Sequence, residues 1–159
     1  MPASMNIDSA CKVQEWLDIG AMLNEVEIMA TYRFTIPGPP TAKGRPRFAR
    51  RGIKAITFTP DKTRAWEKDA KIILKAGMKG NPPLEGPVCA EICFSMPKPK
   101  KLKRKHHTIK PDIDNFIKSA FDAMNGIVFV DDAQIVMLAA RKEYSDDPCV
   151  MINVSKIED

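Results

Sequence analysis

Between Lys110 and Gln134 the chain carries its densest set of residues able to do chemistry. These are Lys110-Pro-Asp-Ile-Asp-Asn-Phe-Ile-Lys118 and then Asp131-Asp-Ala-Gln134. Asp112 and Asp114 stand two apart at the approach to a helix, where an extended backbone would aim both carboxylates the same way. Lys118 falls one helical turn past Asp114, so ammonium and carboxylate share a face. The two acidic segments and Lys118 are expected to converge on one site. Mg²⁺ needs only a few carboxylates, because it keeps water and substrate oxygens as its other ligands. Near a phosphodiester such a cation activates water and offsets the charge building on the phosphoryl oxygens. An ammonium beside it steadies the same charge. Each residue also has a plainer reading. An Asp at a helix start is a common N-cap, and an Asp pair before a strand is common turn chemistry. Taken residue by residue, both readings stand.

The charge distribution narrows the choice of partner. The net charge of +5 is unevenly spread. Residues 1–30 hold one basic and five acidic side chains, residues 31–110 twenty basic and five acidic, and residues 111–159 four basic and ten acidic. A basic middle implies a polyanion, since each Lys or Arg set on a phosphate releases condensed counterions. The acidic last third would repel that partner unless a cation sat among its carboxylates. The basic residues form two runs: Lys43, Arg45, Arg47, Arg50 and Arg51, then Lys100, Lys101, Lys103, Arg104 and Lys105, continuing to Lys110. A charge run is ordinarily a solvated loop. Set directly before the acidic motif, the second run reads as a grip on phosphates that gives affinity without sequence preference.

Composition excludes several other classes. A chain of 159 residues, 44% hydrophobic and 28% charged, is expected to fold as one globular domain rather than stay disordered. No apolar run approaches membrane-spanning length and no secretory signal is visible, so the expected location is cytoplasmic. Cys11, Cys89, Cys93 and Cys149 form no CxxC pair and read as reduced packing residues. His106-His107 is no zinc site, for the chain has only 2 histidines and no cysteine at ligand spacing. A phosphate-binding glycine loop and a Ser-His-Asp arrangement are both missing, which leaves ATP use and serine hydrolysis without support.

The elements that must position these residues follow from periodicity and breakers. Residues 9–27 have helical spacing, and residues 1–28 read either as a helical extension or as an artefact of where translation is taken to begin. Residues 30–36 alternate as a strand. Pro37-Gly-Pro-Pro40 breaks it and leads into a basic loop at 43–51. A short strand is expected at 55–59 and a helix at 61–78, with Trp66, Ala70, Ile73 and Leu74 on one face and Gly77 and Gly80 closing it. Residues 88–96 make an apolar strand and 97–110 a lysine-rich loop. A helix is expected at 114–125, with Ile113, Ile117, Ala120, Phe121 and Met124 as its buried stripe and Gly126 past its end. Strands at 134–142 and 149–155 complete the order β-β-α-β-α-β-β. That order predicts an α+β domain, a mixed β-sheet packed with helices.

Several spaced motifs then resemble the RusA family of Holliday junction resolvases. They are Lys110 to Lys118, Phe121-Asp-Ala-Met-Asn-Gly126 and Asp131-Asp-Ala-Gln-Ile-Val136. Upstream, Phe34-Thr-Ile-Pro-Gly-Pro-Pro40, Lys43-Gly-Arg-Pro-Arg47 and Phe58-Thr-Pro60 are similar to its opening strand, basic loop and following turn. The likeness spans about residues 31 to 155, so residues 29–159 read as the nuclease domain beyond the extension. The resemblance implies a homodimeric, Mg²⁺-dependent endodeoxyribonuclease, with Mn²⁺ as a substitute, that resolves four-way DNA junctions by paired symmetric nicks in recombination and repair. It places the metal-binding carboxylates on Asp112, Asp114 and Asp132 and the catalytic lysine on Lys118. No membrane and no small-molecule cofactor are expected. Two rivals remain: a branched-DNA-binding module without activity, and a nuclease acting on other branched or single-stranded DNA.

Overall fold

Eight elements follow one another along the residues that the computed structural model describes, 28–44, 47–51, 54–58 and 61–158. They are β1 (Ile28–Pro37), β2 (Arg47–Arg51), β3 (Lys54–Phe58), α1 (Asp61–Met78), β4 (Val88–Pro97), α2 (Ile113–Met124), β5 (Ile135–Ser145) and β6 (Cys149–Ile157). A 3₁₀ turn at Asp132–Gln134 precedes β5. The fold is α+β. Four strands form one mixed sheet in the order β1-β6-β4-β5, and β2 pairs with β3 in a separate antiparallel pair.

The central strand explains the arrangement. β4 is buried along nearly all its length, as an apolar run covered on both faces should be. β6 pairs with it antiparallel on one side and β5 parallel on the other. A parallel neighbour requires a crossover, and α2 lies in the crossover from β4 to β5. β1 closes the far edge by pairing antiparallel with β6, with Phe34 opposite Ile152 and Ile36 opposite Val150. Along β1, Phe34 and Ile36 are buried while Arg33 and Thr35 are exposed, the alternation of a strand with one face on the core.

Both helices bury one stripe against this sheet. α1 buries Thr63, Trp66, Ala70, Leu74 and Met78. α2 buries Phe116, Ser119, Ala120, Ala123 and Met124, with Ile113, Ile117 and Phe121 only partly covered. Its stripe is therefore centred a little to one side of the expected one. Phe116 stacks on Phe94 of β4, ring centroids 5.2 Å apart. Each ring is 1% exposed, and burial of this kind stabilises by about 2–3 kcal/mol per side chain.

Several boundaries differ from expectation. The segment 47–51, expected as part of a basic loop, is the strand β2. α1 ends at Met78 as expected, but Gly77 lies within its last turn, and it is Lys79 and Gly80 that turn the chain with positive φ. A Cβ on Gly77 would stand 2.6 Å from the Phe34 ring, so this glycine is a point of close approach between helix and strand. Gly77→Ala is expected to cost about 1–2 kcal/mol, because overpacking against a buried ring outweighs the helix propensity gained. Thermal unfolding should show a Tm lower by about 3–6 °C, and a raised Tm would contradict the close fit. The expected helix at 9–27, most of the extension 1–28, Cys11 and Arg45 lie outside the described residues. Ile28 and Met29 belong to β1.

Among the cysteines described, Cys89 and Cys93 are buried and Cys149 is partly buried, all as thiols. Burial pushes the Cys93 thiol up to about 12 despite its hydrogen bond from Arg141. A thiol so shielded is a packing residue and a poor nucleophile.

Candidate active site

The approach to α2 is held by backbone contacts. The Lys142 ammonium on β5 donates to the carbonyls of Ile109 and Pro111, each at 2.9 Å, and so fixes the chain just before Asp112. The loop's other anchor is His107, 6% exposed and tilted against Tyr144 at 5.0 Å. Burial, with the nearby Lys142 charge, holds that imidazole below its ordinary value. Between Lys98 and Lys110 the remaining side chains are exposed. Lys98 pairs with Asp146 at 3.0 Å, and Arg104 reaches Thr108 at 3.4 Å. Lys100, Lys101, Lys103, Lys105 and Lys110 project without a protein partner among the described residues.

Asp112 occupies the N-cap of α2 with an extended backbone, yet its side chain makes no capping bond. Asp114 is the second helical residue rather than part of the extended approach, and it touches only Lys118, at 3.1 Å. Both partners of that pair are more than half exposed, at 61% and 62%, so the interaction is weak and open to competition by phosphate or metal. Neither carboxylate is engaged as a cap. Both remain oxygen donors at the end of a basic loop.

The later acidic pair is divided by the 3₁₀ turn. Asp131 builds a capping box: its carboxylate accepts from the Ala133 N–H at 2.8 Å, and its own N–H donates to Gln134 Oε1 at 2.9 Å. Gln134 in turn donates to the carbonyls of Leu84 and Gly86. Asp131 is thus engaged in the turn, whereas Asp132 is exposed and carries no hydrogen bond among the described residues.

The expected convergence of both acidic segments does not occur within one chain. Gln134 is bonded beside the start of β4, while Lys142, seven strand steps beyond Ile135, is bonded to the approach of α2. At about 3.3 Å per residue these ends lie on the order of 20 Å apart. Among the described residues no three His, Cys, Asp or Glu side chains gather as metal ligands. The physical reason is the crossover. α2 runs back against the parallel strands, so its start and the start of β5 lie at opposite ends. Asp112, Asp114 and Lys118 are brought together, and Asp132 is held away from them.

Other assigned cations also separate. Lys43 bonds Glu67 of α1, at 3.0 Å, and Asp122 of α2. Burial disfavours its charge, but these two carboxylates outweigh that and raise the ammonium above its ordinary value. Lys43 is therefore a brace between the helices. Arg47, Arg50 and Arg51 fall on β2.

Lys142 was legible only as a strand residue, because nothing in its sequence spacing tells which carbonyls it reaches. For a nuclease of the kind the motifs resemble, Lys142→Met is expected to slow DNA cleavage about tenfold through a lower kcat while leaving metal-free DNA affinity within about twofold. Single-turnover nicking beside a gel-shift titration would separate the two. A change confined to affinity would make Lys142 a phosphate contact instead.

The α+β domain thus presents, at the end of a basic loop, two carboxylates free of capping bonds and an ammonium paired with one of them, a set that metal-dependent nuclease chemistry could use. The sequence profile of Endodeoxyribonuclease RusA matches residues 37–155. A Bacillus subtilis (strain 168) protein, the uncharacterized YqaN, is similar as well, 30% identical over 141 residues that cover 81% of this chain and 99% of YqaN. The chain belongs to the RusA endodeoxyribonuclease family. Nuclease action on branched DNA with dependence on a divalent metal is general in that family. No helix among the described residues is long and apolar enough to cross a membrane.

Proposed function

We propose that the protein is an Mg²⁺-dependent endodeoxyribonuclease that resolves Holliday junctions by paired symmetric nicks in DNA recombination and repair. It works as a cytoplasmic homodimer. The observation that carries this reading is the uncapped Asp112 and Asp114 beside Lys118, set at the end of a lysine-rich loop in a chain of this family. The donor set fits a hard divalent cation, since every candidate ligand is a carboxylate oxygen. Mg²⁺, or Mn²⁺ in its place, supplies an activated water and charge neutralisation at the scissile phosphate.

Each metal position is held by Asp112 and Asp114 of one chain with Asp132 of the partner subunit. Two features support the division. Asp132 sits at the far end of α2 from Asp114, and beside it Val130, Val136 and Leu138 stand 55%, 61% and 45% exposed. These last two lie on β5, an edge strand of the sheet. Apolar side chains on an edge strand call for a covering surface, and a second copy placed there by a two-fold axis completes two equal sites at once. Lys118 leaves Asp114 for the phosphate and steadies the charge that grows on it. Lys100, Lys101, Lys103, Lys105 and Lys110 hold the strand leading in.

The test is cleavage of labelled four-way junction, flap and linear duplex with Mg²⁺. Symmetric nicks on the junction, with at least about tenfold less cutting of the others, are expected, since selectivity comes from matching two sites to two strands. Binding without cleavage would leave a DNA-binding module. Equal cutting of flaps would make this a nuclease for branched DNA in general.

A further inference from the structure

Arg64, Lys68, Lys71 and Lys75 recur along α1 at spacings of four, three and four residues. At 3.6 residues per turn they fall within about 60° of arc, so they form one column. All four are exposed, and none has a hydrogen bond or ion pair among the described residues. The spacing of Glu67 and Lys71 would ordinarily make an i,i+4 pair. Glu67 is bonded to Lys43 instead, which removes that acid from beside the column, and Asp61, three residues before Arg64, meets the column only at its first member. Asp69, the other acid in the middle of the helix, stands about 120° round from the column's centre. Like charges three and four residues apart repel, so the helix carries an uncompensated stripe that a polyanion would relieve.

The column is also placed in line with the cleavage site. At its start, the Lys43 N–H donates to the Asn115 carbonyl at 2.8 Å, while Thr63 rests on the Ala42 carbonyl at 3.5 Å. Beyond its end, the Leu84 N–H donates to the Val128 carbonyl at 2.8 Å. α1 and α2 therefore run side by side in the same sense, and Arg64 lies at the Asp114 end. From Arg64 to Lys75 the column extends about 17 Å. That length matches about five steps of one DNA strand at 3.4 Å each.

We propose that this outer face of α1 is a second nucleic-acid contact, which holds the backbone of a duplex arm as it leaves the cleavage site. The proposal rests on the nuclease reading above and adds a surface to it. The partner is duplex DNA, chosen because the cations are evenly spaced along a straight line and no aromatic side chain interleaves them, as stacking on single strands would require.

The test compares the native chain with a variant carrying Arg64→Gln, Lys68→Gln, Lys71→Gln and Lys75→Gln, all exposed positions where Gln is a good helix former. Affinity for a labelled four-way junction would be read by fluorescence anisotropy without Mg²⁺, from about 50 to 200 mM salt. The variant should bind at least about tenfold more weakly, and its slope of log affinity against log salt should be shallower by about 3. Its cutting rate at saturating protein with Mg²⁺ should stay within about twofold of native, since no residue of the column reaches the reacting phosphate. Lys62→Gln, which removes a charge from another side of α1, should leave the slope unchanged; a loss there of about one quarter of the fourfold variant's, the same loss per charge, would reduce the column to general net charge and overturn it. A native chain that cuts junctions while the fourfold variant keeps its affinity and slope also overturns the column, and leaves the nuclease reading standing. A native chain that binds no DNA overturns both.

Discussion

Asp114→Asn is expected to cut a four-way junction about a thousandfold more slowly than the native chain while binding it at least as tightly. The size of the loss is that of removing one member of a preorganised charge-stabilising site. Asn keeps the shape of the side chain but gives up the anionic oxygen that a hard cation requires. Folding should hardly change, because Asp114 is 61% exposed and its one partner, Lys118, makes only a weak surface pair with it. Binding should hold or improve, since a negative charge next to the phosphate has gone. Nicking rates on an end-labelled junction, set beside gel-shift affinities, would check both halves. Cutting at near the native rate would strike Asp114 from the site.

A second large effect is expected from mixing two inactive chains. Asp114→Asn and Asp132→Asn should each be inactive alone. Combined and allowed to exchange subunits, they should recover about one quarter of the native site concentration. Half the dimers would then be mixed, and in each of those one site unites an intact Asp114 with an intact Asp132 of the partner subunit. The other site in the same dimer carries both substitutions. The recovered activity should therefore nick one strand without its symmetric counterpart. A mixture as dead as its components would show that each chain assembles its carboxylates alone, by a rearrangement that carries Asp132 along the length of α2.

Much of this architecture could be read from residue order. α1 was legible to the residue, because Trp66, Ala70 and Leu74 recur at helical spacing and a proline precedes the first turn. α2 shifted by only one residue, and Gly126 takes positive φ just past its end as its type suggests. β2 was hidden because arginines dominate Arg47–Arg51, which leaves little apolar alternation to read. Gly77 looked like a stop because its reason, the Phe34 ring, comes from a distant strand.

The position of Asp112 and Asp114 at a helix start was legible, but the arrangement of the two acidic segments was not. The DxD spacing marked the start of α2. What the motifs could not convey was direction. Asp114 and Asp132 are close in sequence, yet a helix crossing between parallel strands must run opposite to both, which sends the two acids to opposite ends. The order of strand, helix and strand contained that information once the two strands were known to be parallel neighbours. The roles of Lys43 and Lys142 were hidden for a simpler reason: each acts through partners remote in sequence.

The length of α2 between its two acidic ends has a consequence for how such a protein behaves when scarce. On the shared-site proposal, a chain whose carboxylates are parted by a rigid helix would be latent when alone, whatever metal surrounded it. Its cutting rate should rise with the square of concentration below the dimer dissociation constant, and linearly above it. Newly made or diluted chains would thus meet DNA without scarring it. The capacity to break a strand would arrive only together with a second, symmetric capacity to break its counterpart.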